Sequence, residues 1–298
     1  MNKTVRLSAF AKINLCLHVV SKLADGYHEL RTVFQSISLH DSLELTLSPG
    51  RDITLEIHTE SDGPTLPADS NNLVWRAIDA LRQEFRVRQG FHARLVKRIP
   101  VARGLGGGSS DAAAALLGLL RLIRRELPLP RLLEIASSLG ADVPFFLFGG
   151  RALGIHRGDE IYPLPDLPSQ MVVVISPHDI GVSTRDAYAW LDSKLTTSGT
   201  TPRIWSFCAL CWSRQSGGLC NDFEAAVFDR HFRLHQIKRR LLQEGAAEAA
   251  LAGSGSAVFG LFRNPAQARR AARAFSNDQV FVARTLSRDS YRRGMFAR

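Results

Sequence analysis

Between residues 9 and 19 the chain alternates. Ile13, Leu15, Leu17 and Val19 are apolar, and Lys12, Asn14, Cys16 and His18 stand between them. A period of two belongs to a strand with one buried face, so Lys12 and Asn14 project together from the other. Taken alone, that pair reads as a polar face turned to solvent. A turn at Ala24-Asp25-Gly26-Tyr27-His28 precedes two more strand-like runs, Leu39 to Leu47 and Ile53-Leu55-Ile57. The period then lengthens: Val74, Ile78, Leu81 and Phe85 share the face of a helix from about Asn72, with Asp69 or Ser70 as its cap. Phe91, Ala93 and Leu95 alternate again, and an alanine- and leucine-rich helix covers Ala112 to Leu120. A short helix from Arg131 to Leu139 stops at Gly140, and Ala152 to Leu164 reads as a ribbon turning near Gly154 and Gly158.

Pro163, Pro165 and Pro168 mark a linker, which divides the chain into residues 1–165 and 166–298. The second part predicts a strand at Met171–Ile175 and a helix opened by a capping box at Ser183-Thr-Arg-Asp186. A polar loop follows at Thr196–Pro202, then a helix from Asn221-Asp222 to about Gln243. A glycine-serine turn at Gly253–Ser256 leads to a strand at Ala257–Phe262, a helix from Pro265 to Phe275 and a last strand at Val280–Ala283. That order predicts an α+β sandwich built on an antiparallel sheet.

Composition narrows the class. No apolar run approaches the roughly 18 residues of a membrane span, and the first residues, Met1-Asn-Lys-Thr-Val-Arg-Leu, lack an apolar leader, so a cytoplasmic protein without a membrane partner is expected. The net charge of +10 favours polyanionic partners, either nucleic acid, acidic lipid or phosphate-rich small molecules. The basic residues are scattered beside carboxylates and at helix ends, and no nucleic-acid-binding signature accompanies them. Cysteines at 16, 208, 211 and 220 make no disulfide framework. Cys208-x-x-Cys211 lacks a second ligand pair at zinc-ribbon spacing and Cys220 stands alone, so incidental thiols are expected.

The chemistry concentrates at Pro100-Val101-Ala102-Arg103-Gly104-Leu105-Gly106-Gly107-Gly108-Ser109-Ser110-Asp111, between a strand and a helix. Glycines let backbone approach a ligand, and a helix start offers unpaired N–H groups and partial positive charge, so the stretch is an anion site suited to phosphate. It is neither a Walker loop, which needs Lys where Ser109 stands, nor a dinucleotide fingerprint, which needs Gly there. Asp142, between the Gly140 stop and Pro144, is either a helix cap or a placed carboxylate.

Pro-x-x-x-Gly-Leu-Gly-Gly-Gly-Ser-Ser resembles the nucleotide loop of the small-molecule kinases named for galactose, homoserine, mevalonate and phosphomevalonate. Ala-Lys-Ile-Asn-Leu with Asp-Gly-Tyr-His-Glu-Leu, then Gly-Ala-Asp-Val-Pro-Phe-Phe, then Leu-Ala-Gly-Ser-Gly-Ser point to the branch whose acceptor is a cytidyl diphosphate alcohol. The resemblance implies an α+β, two-domain protein. A ribosomal-protein-S5-like N-terminal domain carries the loop, and a ferredoxin-like C-terminal domain closes the cleft. It implies phosphorylation of the 2-hydroxyl of the acceptor's erythritol moiety, in non-mevalonate isoprenoid synthesis, by ATP with Mg²⁺. The enzyme would be a monomer or homodimer. Carried over by position, Lys12 and Asp142 form the catalytic pair and residues 100–110 hold ATP. Asn14, Tyr27 and His28 contact the acceptor; Tyr188 either stacks on the cytosine or packs in the core. Lys97 and Asn72 would border the adenine, and Ser110 is a candidate metal ligand. Two other readings stand beside it: a mevalonate- or homoserine-type kinase, and a basic nucleic-acid-binding protein.

Overall fold

The computed structural model describes residues 4–23, 26–60, 64–195 and 218–296. The Cys208/Cys211 pair and the 196–202 loop lie outside these residues.

A long antiparallel pair, β1 (Thr4–Lys22) and β2 (His28–Ser48), is the spine. Its register shifts between Phe10 and Lys12 and again between Asn14 and Cys16. Such bulges bend a strand and re-aim its side chains. One end of β2 pairs with β4 (Gly90–Lys97), which carries β3 (Ile53–Thr59) in parallel; its other end pairs with β5 (Arg151–Ile155), which forms a hairpin with β6 (Glu160–Pro163). Helices α1 (Leu73–Glu84), α2 (Gly107–Ile123), α3 (Leu129–Leu139) and α4 (Val143–Phe148) accompany this sheet, and their apolar faces join its core. α2 comes close because Ala112 to Ala115 are small and fully buried, and because a Cβ on Gly118 would meet Leu7 at 2.6 Å.

The polar residues alternating along β1 do not face solvent. Lys12, Asn14 and Cys16 are all buried, because the far side of the strand is covered as well. Lys12 and Asn14 turn toward the glycine-rich loop and Phe34, while the apolar face with Ala11 and Ile13 lies on a second sheet of four antiparallel strands. These are β7 (Met171–Ser176), β9 (Glu248–Leu251), β10 (Val258–Phe262) and β11 (Gln279–Arg284), in the order β11-β7-β10-β9. Val172 and Val174 of β7 meet Ala11, Ile13 and Val33 of the first sheet. Val173 and Ile175 face α5 (Thr184–Leu195), α6 (Phe223–Arg230), α7 (Phe232–Gln243) and α8 (Pro265–Ala272). A strand covered on both faces reads as an unbroken apolar run.

Several expectations change. α1 is capped by Asn72, not Asp69 or Ser70: its Oδ1 accepts from Val74 N at 2.9 Å. Asn72→Ala should cost about 1 kcal/mol, the usual worth of such a cap; equal urea midpoints for the two proteins would refute this. The helix expected from 221 to 243 is two, parted at His231, whose φ of −128° leaves the helical region. Cys220 does not stand alone. Cys220-Asn221 forms β8, a short parallel strand on the free edge of β1, and Cys220 is disulfide-bonded to Cys16 with Cα atoms 4.6 Å apart. A helix with no counterpart in the sequence pattern, α9 (Arg288–Met295), returns from β11 to the first sheet. There Tyr291 donates to the Phe146 carbonyl at 2.6 Å. Among the described residues no helix is long and apolar enough to cross a membrane.

Candidate active site

The glycine loop leaves β4 and enters α2 with Gly104 at φ +80° and Gly106 at φ +72°, a region open to glycine and strained for other residues. Space forbids a side chain too. A Cβ on Gly104 would lie 1.8 Å from the Ala252 carbonyl oxygen, and one on Gly106 2.8 Å from Phe146. The loop is fastened to β1 by the Lys12 N–H, which donates to Leu105 O at 3.0 Å. No side chain caps α2, so the N–H groups of its first turn have no side-chain acceptor and the site keeps the character of an anion cradle. Ser110 is the exception within the motif. It is buried and its hydroxyl donates to Phe10 O at 2.7 Å, toward β1; Pro100 to Ser109 line the cleft.

The cleft holds about 400 Å³ and opens between this loop, β1, the start of α4 and the Gly253-Ser254 turn. Lys12 is at its floor, 4% exposed. Its Nζ donates to Asn14 Oδ1 at 2.9 Å, lies 3.4 Å from Asp142 Oδ2 and sits over the Phe34 ring at 5.4 Å. Asp142 occupies the N-cap position of α4 yet makes no capping bond; its carboxylate faces Lys12. Asn14 is fixed by a relay: its Nδ2 donates to Thr32 Oγ1 at 2.7 Å, and Thr32 donates onward to Cys16 O at 2.8 Å. Because the Thr32 proton goes to a carbonyl, Thr32 accepts from Asn14, and the amide must turn its oxygen to Lys12.

One wall is aromatic. Tyr188 on α5 lines the cleft, stacks on His28 with centroids 4.5 Å apart and meets Phe223 edge-on at 4.9 Å. Burial, and then the Asp142 and Asp192 carboxylates, hold its phenol above the usual range, so it stays protonated. His28 is behind that wall, with Nε2 2.6 Å from Asp192 Oδ1. Asp192 also accepts from Lys22. Burial opposes its charge, and the Lys22 and His28 hydrogen bonds outweigh burial, lowering its pKa. Tyr27 is 57% exposed, outside the cleft lining, with the Arg157 guanidinium 5.0 Å from its ring. Tyr27 and His28, adjacent in sequence, thus lie in different surroundings.

Lys97 lines the cleft, but its ammonium is engaged behind the loop. It donates to Asp41 and, at 2.7 Å, to Asp111 of α2, all three groups being buried. Burial works against the ammonium, while Asp111 and Asp41 more than compensate and raise its pKa. Asp41 also accepts from Arg98 N at 2.5 Å and Ile99 N at 2.8 Å, bracing the end of β4. Asn72 also borders the cleft.

The second glycine-serine turn carries more of the site than its sequence suggested. Gly253 and Ser254 line the cleft, and Ser254 Oγ is 3.2 Å from Thr184 Oγ1. Arg103 donates to Ser256 Oγ at 2.6 Å, and Asn221 donates to Leu251 O and Gly253 O at 2.9 and 2.8 Å. Two glycine-rich turns, 150 residues apart, therefore form one rim. Such turns are visible in sequence; their contact is not, since it depends on how the sheets stack.

A glycine loop with a lysine and a carboxylate at its mouth is suited to phosphoryl transfer, and comparison with known proteins places the chain among small-molecule kinases. The chain matches the models of the GHMP kinases, the N-terminal domain over residues 72–150 and the C-terminal domain over 209–280. It is 47% identical over 293 residues to a 4-diphosphocytidyl-2-C-methyl-D-erythritol kinase of Solibacter usitatus, covering 96% of this chain and 90% of that protein. It resembles the crystal structure of a 4-(cytidine 5'-diphospho)-2C-methyl-D-erythritol kinase with a TM-score of 0.77 and 33% identity, over 94% of this chain and 98% of that one. A homoserine kinase from Cytophaga hutchinsonii shares the fold, with a TM-score of 0.69 at 21% identity over 96% of both chains. The chain belongs to the 4-diphosphocytidyl-2-C-methyl-D-erythritol kinase family.

Proposed function

We propose that this protein transfers the γ-phosphoryl group of ATP to the 2-hydroxyl of 4-diphosphocytidyl-2-C-methyl-D-erythritol, in the non-mevalonate route to isoprenoid precursors. The observation that carries the chemistry is the 3.4 Å approach of the Lys12 ammonium to Asp142 at the mouth of the glycine loop. The triphosphate lies against residues 100–109 and the uncapped start of α2, with its γ-phosphate toward this pair. Ser110 contributes through its backbone, its hydroxyl being held by β1.

An alcohol attacks phosphorus well only as its proton leaves. Asp142 accepts that proton. Lys12 keeps the carboxylate ionised and faces the charge that builds on the transferring oxygens. Asn14 fixes the Lys12 ammonium through its oriented amide and keeps a second N–H for the acceptor. Mg²⁺ accompanies ATP. A hard cation takes phosphate oxygens and waters with one or two protein oxygens. The Ser109 hydroxyl, which lines the cleft, would supply one such oxygen. The ion would lower the negative charge that the acceptor must approach.

The cytosine belongs against Tyr188, whose ring is held in place by His28. Stacking of a base on an aromatic ring is worth about 1–3 kcal/mol. Tyr188→Ala should raise KM for the acceptor roughly 10- to 100-fold with little change in kcat, as for any contact kept from ground state to transition state. Steady-state kinetics with varied acceptor would show it, and an unchanged KM would return Tyr188 to the core. Parallel Tyr27→Ala and His28→Ala variants report on the two flanking candidates in the same way. The function itself is tested by ADP release from ATP and Mg²⁺ with the cytidyl alcohol, mevalonate or homoserine as acceptor. Release with mevalonate or homoserine alone would overturn this reading.

A further inference from the structure

Behind the wall of the cleft, on the opposite face of the same two strands, sits a cluster with no place in phosphoryl transfer. Cys16 of β1 is the register partner of Cys220 of β8, and Leu17 is that of Asn221. The ladder continues, since Asp222 N donates to Leu17 O at 3.0 Å. Side chains two residues apart share a face, so Cys16 and His18 stand beside Cys220 and Asp222 in a square. Leu17 and Asn221 point the other way: Leu17 lines the cleft, and Asn221 holds the Gly253 turn.

The two Sγ atoms and a His18 ring nitrogen lie within 4.8 Å of one another. Both Cys16 and His18 are buried. His18 Nδ1 is 3.2 Å from Asp222 Oδ1, and Asp222 Oδ2 accepts from Val19 N at 3.0 Å. An ionised carboxylate only accepts, so Nδ1 carries a hydrogen and directs it at Asp222. The other ring nitrogen, Nε2, faces the sulfurs, 3.5 Å from Cys220 Sγ. A carboxylate orienting a histidine whose other nitrogen faces two sulfurs is the arrangement of a thiolate–imidazole metal site, including its supporting carboxylate.

We propose that the reduced form of this cluster binds one Zn²⁺ through Cys16 Sγ, Cys220 Sγ and His18 Nε2, with Asp222 holding the imidazole and water completing the tetrahedron. The disulfide is its metal-free, oxidised form. A dithiol or phosphine reductant supplies two electrons, and two protons follow, so the S–S bond becomes two thiols and the reductant is oxidised. Zinc then displaces the two thiol protons as the Zn–S bonds form. Thiolates and imidazole are the donors zinc prefers, whereas Mg²⁺ prefers oxygen, so this site and the cleft do not compete for the same ion.

The test uses the full chain carrying Cys208→Ser and Cys211→Ser, which removes the other thiol pair. The protein is reduced with a phosphine, its thiols are counted, and it is titrated anaerobically with Co²⁺. Two free thiols and one equivalent of cobalt are expected, with thiolate-to-metal charge-transfer absorption and the intense visible bands of a tetrahedral site, both abolished by Zn²⁺. Cys16→Ser or Cys220→Ser in this background should weaken binding and remove about half of the charge-transfer intensity. Asp222→Asn should keep the sulfur signal but weaken binding about 10- to 100-fold. A bridge reducible only on unfolding, a spectrum without thiolate charge transfer, or a charge-transfer band unchanged by Cys16→Ser would each overturn the site.

Discussion

Asp142→Asn should lower turnover by about 10² or more, within the range of a lost general base, while leaving the protein folded. The amide keeps the size and position of the carboxylate but has no useful basicity. It also ceases to balance the Lys12 ammonium 3.4 Å away. Two roles competed for this residue in sequence, helix cap and placed carboxylate, and they predict different readouts. A cap lost from α4 would appear in thermal melts. Since Asp142 makes no capping hydrogen bond, the melting temperature should hardly move while kcat collapses. Turnover within a few-fold of the parent, measured by coupled ADP assay at saturating substrates, would remove Asp142 from the chemistry.

Lys97→Met should destabilise the protein by about 3–5 kcal/mol, the cost of breaking a buried ion pair from one side. Asp41 and Asp111 would then face each other, both buried, without their shared cation. In the parent, burial already raises the Asp111 pKa well above the ordinary carboxylate range, against the pull of Lys97. Without Lys97 it rises further. A carboxyl whose folded-state pKa is raised contributes stability below its unfolded value, and loses it as pH climbs through the folded value. The deficit of Lys97→Met against the parent should therefore be greatest near neutrality and shrink toward pH 4. Adding Asp111→Asn should recover part of it at neutral pH. Urea titrations at several pH values measure all three, and a constant deficit below 1 kcal/mol would refute the account.

Much of the fold was legible because its elements have one covered face. The helix at 73–84 and the strands at 91–95 and 53–57 follow their periods. Legibility failed where both faces are covered. Thr32 to Ile37 of β2 is buried throughout, so no alternation marks it and the sequence pattern starts the strand near Leu39. The final helix failed for the opposite reason: Arg288–Met295 is mostly polar and anchored chiefly by Tyr291 and Met295. In the site, the glycine loop, Lys12 and Asp142 could be singled out because each sits in a compact motif. Thr32 and Asp41 could not. Their roles arise from partners far along the chain, such as Thr32 holding Asn14. The buried ion pairs of Lys97 were hidden for a related reason: its counter-charges are 56 and 14 residues away.

The return of α9 and β8 to the first sheet bears on modular exchange between relatives. A cut at the proline linker near 165 would leave the loop-bearing half without β8 at the edge of β1, and without the helix whose Tyr291 covers Gly149. A chimaera that transplants the first 165 residues alone therefore exposes an unpaired strand edge and an open patch of core. One that also carries the donor's counterparts of residues 218–222 and 286–296 keeps the first sheet closed. The unit of inheritance for this cleft is a discontinuous one.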